Sequence, residues 1–125
     1  MPEHPFTPDQ LEPLIAAMQA LEGTESEEQV VVHPPGRDRR HGRFDLAHLD
    51  DEYCVYLEWV DKVPFEALGL PLPEDHEIYD THKRNATIGF GDLDAAGVAE
   101  LFRQWAPLVF GDAPLVWSAT AEDGG

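Results

Sequence analysis

Two stretches of alternating side chains, residues 43–49 and 52–58, constrain this chain more than any other feature. Each alternates apolar with polar residues, the period of a strand with one buried face. If Asp50-Asp51 forms a two-residue connection, Leu49 opposes Glu52 and His48 opposes Tyr53. Leu46 then opposes Val55, Phe44 opposes Leu57 and Arg43 opposes Glu58. One face collects Phe44, Leu46, Tyr53, Val55, Leu57 and Trp59. The other collects Arg43, Asp45, Ala47, Cys54, Tyr56 and Glu58, with an ion pair across the exposed side. The two strands agree in parity, and a one-residue slip would invert every side chain. Asp-Asp is a weaker turn signal than Asn-Gly.

The remaining elements are read outward from this hairpin. Leu11, Leu14, Ile15, Met18 and Leu21 form one apolar stripe at helical spacing, predicting a helix over 8–22. Thr7 or Asp9 is placed to cap it and Pro8 suits its first turn. Pro13 would push the regular part later, and Gly23 would end it before an acidic linker. Val30-Val31-Val32 reads as a strand stopped by Pro34-Pro35-Gly36, and 34–42 as a long basic hairpin loop. A short helical turn is expected at Phe65–Leu68 within a Pro-rich segment, then a hairpin of 76–80 and 85–91 turning at Lys83-Arg84-Asn85. Asp92 or Asp94 caps a second helix to about residue 106, with Val98, Leu101, Phe102 and Trp105 buried and Pro107 near its end. Residues 114–120 read as a final strand.

This order predicts an α+β fold: two layers, a largely antiparallel sheet, and two main helices packed on one face. A single domain is expected over 1–121, with 122–125 as a flexible tail. The element order resembles that of small acidic secretion-chaperone-like domains, which run helix, three strands, helix, two strands, helix. That resemblance rests on order alone. The terminal Gly124-Gly125 resembles the ends of ubiquitin-like modifiers, but the leading helix and extra strands depart from that compact fold.

Charge sets the function classes. The chain carries 25 Asp and Glu against 8 Lys and Arg, a net charge of −17 over 125 residues. Such a field opposes binding of DNA, RNA or anionic lipid, because each phosphate contact needs a cation. No apolar run is long enough to span a membrane, and the start lacks the pattern of a secretory signal. A single cysteine, Cys54, leaves no internal disulfide framework, so a cytoplasmic location is the simplest expectation. A salt-rich cytoplasm would favour the same acidic surface without any partner.

Candidate sites are few. Arg37, Arg39, Arg40, His41 and Arg43 concentrate positive charge in one loop, and His82-Lys83-Arg84 form a second group. The first group is either a neutraliser of acidic surface, in its own fold or in a homodimer, or a contact loop for an acidic or phosphorylated ligand. Gly89-Phe90-Gly91 lacks the third glycine of a dinucleotide fingerprint, since Asp94 stands in its place, and reads as a turn followed by a cap. His76, Asp80 and His82 could share one strand face as metal ligands, but they read as surface residues, and no metal or cofactor is expected. Cys54 lies mid-strand with His48 on the opposite face, and Ser26 and Ser118 lack the glycines of a nucleophile elbow, so no catalytic residue is assigned.

The expected function is a non-enzymatic, acidic protein-interaction module engaging a basic protein partner, in the manner of an inhibitor, immunity protein or small chaperone. The alternative is a small-ligand-binding or enzymatic domain using the Arg/His-rich loop 33–43. A pocket rimmed by Arg37, Arg40, His33 or His48 would favour the alternative. A flat acidic face with exposed aromatics would favour the interaction module.

Overall fold

The structure is a computed structural model, and it describes residues 3–23, 28–35, 42–61 and 63–120. Nine elements follow one another: β1 (His4–Pro5), α1 (Glu12–Ala20), β2 (Val30–His33), β3 (Arg43–Leu49), β4 (Glu52–Glu58), β5 (His76–Thr81), β6 (Asn85–Phe90), α2 (Ala95–Phe110) and β7 (Val116–Ala119). Among the described residues, short 3-10 turns also lie at Leu21–Gly23 and Phe65–Leu68. All seven strands join one sheet in the order β1-β7-β2-β3-β4-β6-β5. Every neighbouring pair is antiparallel.

The β3–β4 register is the one the alternating faces predict, from Arg43 opposite Glu58 to Leu49 opposite Glu52. Asp50 and Asp51 carry φ of 53° and 64°, the left-handed pair that a two-residue hairpin turn requires. Phe44, Leu46, Tyr53, Val55 and Leu57 are buried, as is Trp59 just beyond β4. Their neighbours Arg43, Asp45, Ala47, Cys54, Tyr56 and Glu58 are half-buried on the other face. β2 adds Val30 and Val32 to the buried face, and β6 adds Ala86, Ile88 and Phe90.

Both helices lie on that buried face, and the strand order explains why. β1 and β2 run the same way with β7 between them, and α1 connects them. β6 and β7 also run the same way, separated by β4, β3 and β2, and α2 connects them in the opposite sense. Two crossovers of a common hand, in opposite senses on oppositely directed strands, put both helices on one face. The 16 residues of α2 give a length of roughly 24 Å. That suffices for the roughly 19 Å from β6 to β7.

Aromatic side chains weld α2 to the sheet. The ring of Phe44, at 0% exposure, lies 4.9 Å from Phe102, 5.8 Å from Trp105 and 5.0 Å from Phe110. Phe90 meets Trp105 at 6.1 Å. α1 contributes Leu14 and Met18 to the same core, with Leu21 just after it and Leu11 and Ile15 packed at its margin. Tyr53 ties its end to β4: the hydroxyl donates to the Glu22 carboxylate at 2.7 Å and lies 3.0 Å from the Met18 carbonyl oxygen. Two indoles fasten the Pro-rich segment, Trp59 Nε1 donating to the Val63 carbonyl at 3.0 Å and Trp105 Nε1 to the Pro71 carbonyl at 2.7 Å.

Several boundaries differ from expectation. α1 starts at Glu12, because Pro8-Asp9 forms a separate turn closed by Gln10 N–H on the Thr7 carbonyl at 2.9 Å. Its N-cap is Leu11, with no side-chain cap, and Pro13 falls in the first turn, where its missing N–H costs nothing. α2 runs past Pro107 to Phe110, since packing of Phe110 on Phe44 in the last turn outweighs the one backbone bond that proline cannot make. Asp94 caps α2 by accepting from Gly97 N–H at 2.9 Å. The short β1 was not foreseen; it exists through its pairing with β7, where His4 stacks on Trp117 at 4.4 Å.

The core makes a direct expectation. Leu57→Ala and Phe102→Ala, each at a side chain with no exposure, lose roughly 2–5 kcal/mol of folding stability in urea titrations. Losses below about 0.5 kcal/mol at both positions, the range of surface substitutions, would contradict this packing.

Candidate functional site

With both helices on one side, the opposite face of the sheet is free of helices. β3 presents Arg43, Asp45, Ala47 and Leu49 there, β4 presents Glu52, Cys54, Tyr56 and Glu58, and β6 presents Asn85, Thr87 and Gly89. A shallow depression of about 290 Å³ lies on it, lined by Arg43, Asp45, Cys54, Tyr56 and Thr87 among others.

Arg43 begins β3 and is spent on its own fold. Its guanidinium lies 3.5 Å from Glu58 and 3.9 Å from Asp45, and 5.1 Å from the centre of the Tyr56 ring. The residue before it, Gly42, has φ of 82°, and a Cβ there would fall 2.5 Å from the Glu58 carbonyl oxygen. Only glycine fits this entry into β3. Arg37, Arg39, Arg40 and His41 lie outside the described residues. The two histidines considered with that loop are not brought together: His33 closes β2 beside Glu3 at 3.7 Å, whereas His48 sits near the other end of β3, edge-on to Tyr53 at 4.8 Å.

The far corner of the same face is acidic. Leu49 and Glu52 face each other across the register, and Asp50-Asp51 close the turn beside them. From β5, Glu77 lies opposite Gly89, and the Tyr79 hydroxyl donates to the Glu52 carboxylate. Gly89 makes this reach possible, because a Cβ there would meet the Tyr79 ring at 2.6 Å. Gly89 is therefore a strand residue beneath an aromatic ring, not part of a turn. Leu49 is 54% exposed and Tyr79 50%, so two apolar surfaces flank Glu52 within an acidic surround.

Tyr79 also marks a bulge, since Ile78 pairs with Ile88 but Asp80 pairs with Thr87. One extra residue switches the face of everything after it. His76 thus shares the side of Phe90, while Asp80 shares that of Thr87. His76 bonds the Pro73 carbonyl at 2.6 Å and His82 bonds Asp80 at 2.8 Å. Among the described residues, no group of three or more His, Cys, Asp or Glu side chains is set to hold a metal ion.

The second basic group is the feature whose setting the sequence hides. His82, Lys83 and Arg84 form the β5–β6 turn and line an open cleft of about 1130 Å³ with Val63, Pro64, Phe65 and the acidic Glu66. The two walls are distant in sequence. β4 leads from the acidic corner at Glu52 to this end at Glu58, a rise of roughly 20 Å.

On the helix-free face, Cys54 and Asp45 are among the titratable groups with displaced equilibria. Burial, then the neighbouring Glu52 carboxylate, pushes the Cys54 thiol up to about 11. It is a poor nucleophile, with Glu52 at 3.7 Å from the sulfur. At pH 8 its alkylation by iodoacetamide is expected to run roughly tens of times slower than that of a free cysteine. Matching rates would overturn this assignment. Burial also raises the Asp45 carboxyl above its ordinary value, against a smaller opposing pull from Arg43, and its Oδ1 has no hydrogen-bond partner among the described residues. A raised carboxyl contributes stability below its unfolded pKa and loses it as pH climbs through the folded value. Asp45→Asn is therefore expected to be more stable than the parent at neutral pH, with the gain vanishing in acid. A loss of stability at neutral pH, read by thermal melting, would count against it.

No family model matches this chain, and no match is found among curated proteins or solved structures.

Proposed function

We propose that this chain is a non-enzymatic protein-interaction module, acting in the cytoplasm, whose acidic corner receives a basic segment of a partner protein. The observation that carries this reading is the half-exposed Leu49 and Tyr79 on either side of Glu52, with Asp50, Asp51 and Glu77 around them. Apolar anchors surrounded by charge are the usual anatomy of a recognition surface. Here the charge has one sign, so the complementary surface is cationic. The net charge of −17 extends that preference to long range and speeds encounter with a basic partner. It also argues against nucleic acid and anionic membranes as ligands. No helix among the described residues is long and apolar enough to cross a membrane.

The bulge at Tyr79 and the charges of Glu77 and Asp80 are devices that protect an edge strand from indiscriminate pairing. They favour contact through side chains of the corner over addition of a strand to β5. A loop-based ligand site, the alternative, draws no support from Arg43, which is engaged by Glu58, Asp45 and Tyr56.

The test is a comparative pull-down from cytoplasmic extract at low salt, with the parent chain and a Tyr79→Ala, Glu77→Lys variant as baits. The parent is expected to retain a basic protein that salt elutes, and the variant to lose it. The association rate should fall steeply with ionic strength, because charges more than about 8 Å apart are screened at physiological salt. Equal retention by both baits, or no basic protein on either, would defeat the proposal. The second outcome would leave the acidity as an adaptation of the surface to salt.

A further inference from the structure

We infer that the cleft between residues 63–66 and the β5–β6 turn is a binding site for a small phosphomonoester with an apolar body. It lies at the opposite end of β4 from the acidic corner and does not depend on the function proposed for that corner.

The cations in this cleft are available. Among the described residues, Arg43 is engaged by Glu58 and Arg103 by Glu100. Lys83 and Arg84, the other Lys and Arg side chains described, have no ion pair among those residues and both line the cleft. In a chain with 25 acidic residues, two adjacent cations with no ion pair among the described residues stand together at one concave site. His82 beside them is bonded to Asp80 at 2.8 Å.

The cleft is also preformed. Trp59, 2% exposed, holds both walls: its backbone N–H donates to the Arg84 carbonyl at 2.9 Å, and its indole N–H to the Val63 carbonyl at 3.0 Å. His82 N–H donates to the Asn85 carbonyl at 2.8 Å and closes the turn. The spacing of the walls is thus set by a core residue. Phe65 anchors the second wall, its ring 6.1 Å from that of Trp59, and Val63 extends the apolar surface.

These parts select a ligand class. The planar fork of Arg84 matches two oxygens of a phosphate, and Lys83 adds a point charge. The wall of Val63, Pro64 and Phe65 offers surface to an apolar group attached to that phosphate. The negative field of the whole chain restricts size. A long polyanion would extend over the acidic body, whereas a small anion meets the cations within one Debye length.

The probe is phenyl phosphate, titrated by calorimetry and followed in parallel by amide chemical shifts. Saturable binding is expected below millimolar concentration, with shifts centred on 63–66 and 81–85. Inorganic phosphate should bind more weakly, because it has no apolar body. Arg84→Gln with Lys83→Gln, both exposed turn positions, should weaken phenyl phosphate roughly tenfold or more while leaving the melting temperature close to the parent's. Absence of binding, equal affinity in the double variant, or shifts centred elsewhere would overturn the proposal. Equal affinity for inorganic phosphate would remove the apolar body from it. Displacement of phenyl phosphate by an equal concentration of short duplex DNA would overturn the restriction to small anions.

Discussion

Side-chain parity across β3 and β4 is the constraint on which the rest of the molecule rests. These two strands occupy the middle of the sheet, and their inward set supplies the floor on which both helices sit. A one-residue slip of β3 would turn Arg43 and Asp45 inward and expel Phe44 and Leu46, and the same slip of β4 would bury Glu58 and expel Leu57. Burying even one unpaired charge costs several kcal/mol, comparable with the whole stability of a small domain. The register is therefore fixed by what must not enter the core as firmly as by what must. Once Phe44 faces inward, Phe102, Trp105 and Phe110 have a surface to close on, and the path of α2 across the sheet follows.

Legibility in the sequence followed the same logic. The β3–β4 faces and the stripes of α1 and α2 could be read because burial on one side imposes a period on the residues themselves. Asp94 could be recognised as a cap because its chemistry is local. What escaped was decided by partners far along the chain. β1 is two residues long and has no period to detect; its pairing with β7 and the stacking of His4 on Trp117 define it. The bulge at Tyr79 depends on Glu52 across the sheet and on the missing side chain of Gly89. Pro107 reads as a stop signal, yet the helix continues because packing of Phe110 outweighs one absent backbone bond.

The candidate sites divide similarly. Clusters of charge are visible in any sequence, but their surroundings are not. Arg43 stood out as part of a basic run and proves to be absorbed by Glu58, Asp45 and Tyr56. His82-Lys83-Arg84 looked like a minor group and instead forms one wall of the larger cleft. Trp59, bonded to residues on both sides, connects that wall to Val63, and no local pattern announces such a bridge. The arrangement gives the sheet two chemically distinct ends, one acidic and one where Lys83 and Arg84 have no ion pair among the described residues, joined by the length of β4.

The turn between β3 and β4 has a consequence of a different kind. Asp50 and Asp51 both adopt left-handed backbone, a conformation that asparagine and glycine accept with less strain. The same hairpin with Asn-Gly would keep its register and form more readily. It would also give up two negative charges at exposed positions of the acidic corner. The chain therefore holds this turn away from its conformational optimum, and what it keeps in exchange is charge. This bend therefore carries charge as well as joining two strands, and a substitution there alters the local backbone strain and the field of the acidic corner together.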